Sequence, residues 1–290
     1  NWKPRLLSGI EQEDQSDWLS FHNNERDQWL RYGAAIYLSE SDDSEIDHSR
    51  AVQGMNGLMV TRSARLRIWN NTFSWLSGVG LGLYRTTDST IMHNRLDWDV
   101  RGYSHGFYNR GQDSAGLLMY EQSSRNVVAF NSITHGGDGV FLWAGQSTMD
   151  TGEGGANDNI FYDNDLSHAV ANGIEATFSR NLIVRNRIDD SWHGIWGGYS
   201  FDTLIADNTF DGNTEGIALE HGQHNTITGN RFTHEDTAIR LWANTSQDPN
   251  WGYATRRDTK SRDYTIARNA FASEKTAVDL LRTSGVRLVA

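Results

Sequence analysis

Three acidic side chains, Asp138, Glu175 and Glu220, share a part of the chain with His193, His221, Arg240 and the tryptophans Trp143, Trp196 and Trp242. Two carboxyl groups flanking a bond between sugars can cleave it: one stays protonated and donates to the leaving oxygen, the other acts as base or nucleophile. Histidine offers a second kind of base near neutral pH. Aromatic rings stack on the apolar faces of sugars, and arginine forks onto carboxylates. These residue types suit glycosidic chemistry, with Asp138, Glu175, Glu220 and His193 as catalytic candidates. Tyr120, Trp143, Trp196, Tyr199, His221, Arg240 and Trp242 are the candidate substrate contacts, joined by Tyr108 and Arg110 from a separate stretch. Each has a plainer role to set beside this one. The acids can be solvated groups on a sheet face, Asp138 in "HGGDG" a turn residue, the histidines structural hydrogen bonders, Arg240 the salt-bridge partner of Glu220, and the tryptophans packing beneath loops.

What positions these residues is a repeat. "NGIEATFSRNLIVRNRI", "HGIWGGYSFDTLIADNTF" and "EGIALEHGQHNTITGNRF" align, and their asparagines Asn186, Asn208 and Asn230 recur every 22 residues. Equivalent asparagines stand at 71, 94, 131, 164 and 269. Each unit holds short alternating apolar runs bounded by Gly, Asn and Asp, which is strand chemistry. A period in the twenties built from such strands means a solenoid. The recurring asparagines are expected to be structural, bonding to one another along the stack.

Alternation sorts each strand into faces. With Ile174, Ile195, Ile217 and Ile239 inward, Phe141, Glu175, Trp196, Ala218 and Arg240 form one outward column. Trp143, Thr177, Gly198, Glu220 and Trp242 form a second, and Asp138, Asn172, His193, Glu215 and Thr237 a third. The Cα atoms of Glu175 and Glu220 are then roughly 12 Å apart, two rungs across and two residues along, and Asp138 and Glu175 are similarly spaced. Flexible side chains can close either pair to the ~6.5–9.5 Å of an inverting hydrolase.

Three intervals between asparagines are lengthened, placing insertions at about 101–113, 146–156 and 244–262. The last two leave equivalent strands four rungs apart. They are expected to stand about 19 Å from one another as walls, with Glu175, His193, Trp196, Glu220 and His221 between them. The first insertion would bring Tyr108 and Arg110 over the same groove. Residues 1–32 show no repeat and are expected to cap the open end of a single domain over 33–290.

Composition narrows the partner. The formal charge of −11 argues against nucleic acid, which needs a basic surface, and less firmly against a polyanionic sugar chain. With no cysteine, disulfides and thiolate metal sites are excluded. No apolar run approaches the ~18 residues of a membrane span. Proline occurs twice in 290 residues, as fits strands that use their N–H groups in ladders on both sides.

The "GI-x-x … N-x-I-x-x-N-x-F" units resemble the rungs of right-handed parallel β-helix proteins, a group dominated by polysaccharide lyases, glycoside hydrolases and uronan epimerases. The resemblance covers roughly residues 33–290. It implies an all-β, single-domain solenoid of about 9–10 rungs, a polysaccharide or oligosaccharide substrate, and a secreted or periplasmic location. Asn1 is not an initiator methionine, so a processed or trimmed N-terminus is expected. The paired-aspartate signature of pectin hydrolases and the Asp-Pro-His motif of alginate epimerases are missing, and Lys3, Lys260 and Lys275 all lie outside the repeat strands. The leading expectation is therefore a glycoside hydrolase without a cofactor, using Glu175 with Asp138 or Glu220. A lyase or C5-epimerase with a His193, His221 or Tyr108 base, and Arg240 or calcium on the uronate, is the alternative. A glycan-binding stalk without catalysis is a third.

Overall fold

The computed structural model describes residues 33–102, 114–248 and 250–289. The segment 1–32 expected to form a cap, and Tyr108 and Arg110, lie outside these residues. Each rung lays one strand on each of two ten-stranded parallel sheets, and several add a short strand on a third face. The first sheet stacks Ala34–Ser39, Asn56–Thr61, Val79–Tyr84, Ala115–Tyr120, Asp138–Trp143, Asn172–Ala176, His193–Trp196, Glu215–Glu220, Thr237–Trp242 and Thr276–Leu281. This is the parallel β-helix that the repeat predicts, with ten rungs among the described residues.

The faces follow the alternation rule. Ile174, Ile195, Ile217 and Ile239 are in register and buried in one continuous core. Burying such side chains between rungs stabilises the stack by roughly 1.5–3 kcal/mol each. The glycine before each isoleucine is there because backbones meet: a Cβ on Gly194 would lie 2.5 Å from the Gly216 carbonyl oxygen and 2.7 Å from Phe210. Outward, Phe141 pairs with Glu175, Glu175 with Trp196, Trp196 with Ala218 and Ala218 with Arg240.

The repeating asparagines are the spine of the turn between the second and third faces. Asn164 donates from Nδ2 to Asn186 Oδ1, Asn186 to Asn208, and Asn208 to Asn230, each at 3.0 Å. The residue before each adopts a left-handed conformation, as at Arg185 with φ 59° and Asp207 with φ 54°. Every amide is bonded, and all but Asn269 are buried, so the column satisfies turn groups that the sheets leave unpaired.

The two later insertions do not stand apart as walls. Each folds a short helix, Gln146–Thr151 and Gly252–Arg256, and these meet: Arg257 Nε donates to the Gly152 carbonyl at 2.8 Å, and Gly252 packs onto the Asp150 backbone. Together they cover a stack of rings on the turn after the first sheet. Phe178 lies on Tyr199 at 4.7 Å and Tyr199 on His221 at 4.9 Å, both nearly parallel, with Trp251 and Tyr253 edge-on. Contact with these rings draws the loops together. The outcome is one ridge along the edge of the first sheet, with an open groove beside it.

Candidate functional site

The groove, about 480 Å³, opens on the first sheet and is lined by Asn172, Glu175, Trp192, His193, Trp196, Glu215, Arg240 and Trp242. Its residues come from four successive rungs, so it runs about 14 Å along the axis. Outward alternation supplies Glu175, Trp196 and Arg240, the third column supplies Asn172, His193 and Glu215, and Trp242 follows Arg240 by two. Trp192 comes from the turn before the sheet and is 57% exposed.

A chain of polar contacts crosses the floor. Asp138 is 4% exposed, and its Oδ1 accepts the backbone N–H of Asn172 at 3.0 Å and the Asn172 side-chain amide at 2.8 Å. The same amide donates to Glu175 Oε2 at 3.1 Å. Asn172 Oδ1 meets His193 Nδ1 at 2.8 Å, and His193 Nε2 faces Glu215 Oε2 at 3.5 Å. Glu215 Oε1 accepts Arg240 at 2.5 Å, and Arg240 also faces Asp279 at 3.6 Å. Burial pushes the Asp138 carboxyl up to about 7, against the two Asn172 bonds that pull it down. Burial lowers the His193 imidazole, Glu215 raises it and Arg240 lowers it.

The aromatic lining surrounds this chain. The His193 ring lies 4.4 Å from Trp192 and 5.1 Å from Trp196. Trp196 and Trp242 are 5.5 Å apart, and the Arg240 guanidinium sits 4.7 Å over Trp242. Indole faces beside a carboxylate, an imidazole and a guanidinium form a surface on which a sugar can stack while its substituents meet charged groups.

Of the residues singled out from sequence, Glu175, His193, Trp196, Arg240 and Trp242 converge on this groove. Asp138 is beneath it, behind Asn172. Glu220 lies in the neighbouring column and accepts Asn244 of the ridge, and Arg240 pairs with Glu215 and Asp279 where Glu220 was its expected partner. Trp143 packs against Phe178 at 6.1 Å under the ridge, the packing role weighed for it above. Tyr199 sits in the ring stack, where its hydroxyl meets Gln247. His221 is buried and ties the ridge down: Nδ1 meets the Thr259 carbonyl and Nε2 accepts Asn244 N–H at 3.0 Å. Tyr120 is 1% exposed, packed near Tyr84 at 5.8 Å. Asn172, Glu215 and Trp192 were missed as site residues. The first two stood in the third column, but only their contacts reveal them, and Trp192 lies in a turn that alternation does not sort.

Fold and site together define a parallel β-helix protein with an aromatic, acid-base groove on its first sheet. The chain belongs to the family described as "Periplasmic copper-binding protein (NosD)", whose model matches residues 8–151 and 109–286. No curated protein matches it. Among solved structures it is similar to the mannuronan C-5 epimerase AlgE4 A-module of Azotobacter vinelandii, with a TM-score of 0.58 and 11% identity over 87% of this chain and 76% of that one. It is also similar to an alginate lyase from Paenibacillus sp. str. FPU-7, with a TM-score of 0.51 and 12% identity over 87% of this chain and 89% of that one. At such identities the likeness is one of fold, the right-handed parallel β-helix.

The family description raises copper, which takes thiolate, thioether or imidazole donors. The chain has no cysteine; Met59, Met119 and Met149 are buried in apolar clusters, Met55 packs against one of these, and Met92 is half-buried on the second sheet. Among the described residues no group of three or more His, Cys, Asp or Glu side chains is placed to hold a metal ion. The described His, Asp and Glu side chains therefore do not fit a copper centre. No helix among the described residues is long and apolar enough to cross a membrane.

Proposed function

We propose that the groove binds a polysaccharide or oligosaccharide and that the protein is a glycoside hydrolase acting outside the cytoplasm. The observation that carries this is the placement of the Glu175 carboxyl and the His193 imidazole in one groove walled by Trp192, Trp196 and Trp242. The periplasmic description of the family supports the location, and the mannuronan and alginate enzymes of similar fold support a sugar chain as substrate. The sugar stacks on the indoles. Glu175, protonated, gives its proton to the glycosidic oxygen as the C–O bond breaks. Water attacks the anomeric carbon from the opposite face, losing its proton to His193 Nε2. One water is consumed, and no cofactor is needed. His193 takes the place of the second carboxylate expected from sequence, because Asp138 is beneath the groove and Glu220 beside it.

A second reading is favoured by Arg240 and His193 lining the same groove: removal of the proton α to a uronate carboxyl, as in a lyase or C5-epimerase. Arg240 already neutralises Glu215 and faces Asp279, which leaves it poorly matched to a further acid, and calcium belongs to this reading alone. Product analysis on neutral and acidic polysaccharides separates them. New reducing ends without ultraviolet absorbance support hydrolysis, and unsaturated, absorbing products support a lyase. Glu175→Gln should bind glycan but lose turnover by about 10²-fold or more; full activity in that variant removes Glu175 from its role, and binding without any product makes the protein a glycan-binding stalk.

A further inference from the structure

Asn172 has a carboxyl oxygen on each of two sides, Asp138 Oδ1 at 2.8 Å and Glu175 Oε2 at 3.1 Å. Asp138 Oδ1 is an acceptor there, because it also takes the Asn172 backbone N–H at 3.0 Å. Only the NH₂ end of an amide can serve two acceptors, so this end faces the acids and the carbonyl oxygen faces His193. That oxygen lies 2.8 Å from Nδ1. Nδ1 must therefore carry a hydrogen, and in the neutral ring Nε2 is left with a lone pair. Nε2 points to Glu215 Oε2 at 3.5 Å, too long for a hydrogen bond in good geometry. The ring cannot easily turn over to exchange its nitrogens, because Trp192 and Trp196 pack against it at 4.4 and 5.1 Å.

We infer that Asn172, anchored on the Asp138 carboxyl, is the positioning residue of the site: it holds His193 as the Nδ1–H tautomer and so makes Nε2 the basic atom facing the groove. A base oriented by a third group is the arrangement by which many sites fix which nitrogen works. Asp138, too deep to touch a sugar, acquires a task as the fixed acceptor that stops the amide from flipping. The functional side of this inference rests on His193 being the base in the reading above, but the tautomer does not.

The test is the nitrogen spectrum of the full chain labelled at histidine with ¹⁵N, in which protonated and unprotonated ring nitrogens differ widely in shift; His193 is assigned by its loss in His193→Gln. The expected result, in the neutral ring, is a protonated Nδ1 and a bare Nε2. Asn172→Ala and Asn172→Thr are suited to the position, since Ala34, Ala115, Thr237 and Thr276 occupy the same column in other rungs. Both should move His193 toward the Nε2–H form and lower kcat at least about tenfold while KM stays within about twofold. Asp138→Asn, whose amide oxygen can still accept both bonds, should keep the tautomer. An Nε2–H ring in the wild type, or a tautomer unmoved in the folded Asn172 variants, overturns the inference. If neither variant folds, the wild-type spectrum decides alone. The expected tautomer in a protein that turns over no glycan would leave the inference standing and overturn the proposed function.

Discussion

Arg240 reaches back one rung to bond Glu215 at 2.5 Å while its guanidinium covers the Trp242 ring at 4.7 Å. The pair does two jobs: it holds the Trp242 indole of the groove in place, and it neutralises the carboxylate that faces His193 Nε2. The charged groups that surround this imidazole are Glu215 and Arg240, with Asp138 and Glu175 reached through Asn172.

Arg240→Met should therefore shift the pH dependence of the site. Arg240 lowers the His193 pKa and Glu215 raises it. Without the guanidinium the imidazolium gains an unshared carboxylate, so the midpoint rises. The acidic limb of kcat/KM against pH should move to higher pH, and activity at pH 6 should fall relative to pH 8. A histidine NMR titration of the variant follows the same midpoint, and an unchanged or lowered value would remove the coupling argued here.

His221→Ala should loosen the ridge and leave the groove intact. The imidazole bonds the Thr259 carbonyl and the Asn244 N–H and stacks on Tyr199. Losing two anchors for a loop costs about 1–3 kcal/mol per buried group left unpaired. Limited proteolysis should cut faster within residues 244–260 while glycan affinity stays within about twofold. A large loss of affinity without loop cleavage would return His221 to the substrate-contact role expected from sequence.

The contrast between His193 and His221 shows what the chain's own pattern could disclose. The 22-residue period and two-residue alternation fix register, so the columns through Glu175, Trp196 and Arg240, and the inward isoleucines, were legible. Both are local rules that the ladder enforces at every rung. Loop direction is not local. Nothing in "AGQSTMD" or "DPNWGYATR" says that the two segments pack on each other over Phe178 and Tyr199, and this one event moves Trp143, Tyr199 and His221 from groove to ridge. Charge pairing was equally hidden: Glu215 and Glu220 are both one rung from Arg240, and side-chain direction alone selects Glu215.

The asparagine spine sets the stability of the scaffold beneath the groove. Asn186 accepts the Asn164 N–H at 3.0 Å and donates to the Phe161 carbonyl at 3.0 Å as well as to Asn208. Asn186→Ala leaves several buried groups unpaired and should cost about 2–5 kcal/mol, each such group contributing about 1–3 kcal/mol. Asn269→Ala, at the more open end of the same column, should cost less. Denaturant unfolding of both variants measures the difference, and equal small losses would show that the column is not the spine described.

Glu235 offers a separate handle on stability. It occupies the turn before the first sheet, where Oε1 accepts both the backbone and side-chain N–H of Asn213 at 3.2 Å, and Oε2 is buried without a hydrogen-bond partner. Burial raises its pKa to about 8, Asn213 pulls it down and Glu274 adds to the rise. The unfolded chain releases this proton near pH 4.3, the ordinary glutamate value. Between these two pH values the folded state holds a proton that the unfolded state does not, so stability falls as pH rises through that window, and the full cost is present above about pH 8. Asp138, raised to about 7, adds to the same slope. Glu235→Gln keeps an acceptor for Asn213 and cannot ionise. Its melting temperature should lie close to wild type at pH 4 and exceed it by several degrees at pH 8.5. A difference that does not grow with pH would mean that Glu235 does not retain its proton in the fold.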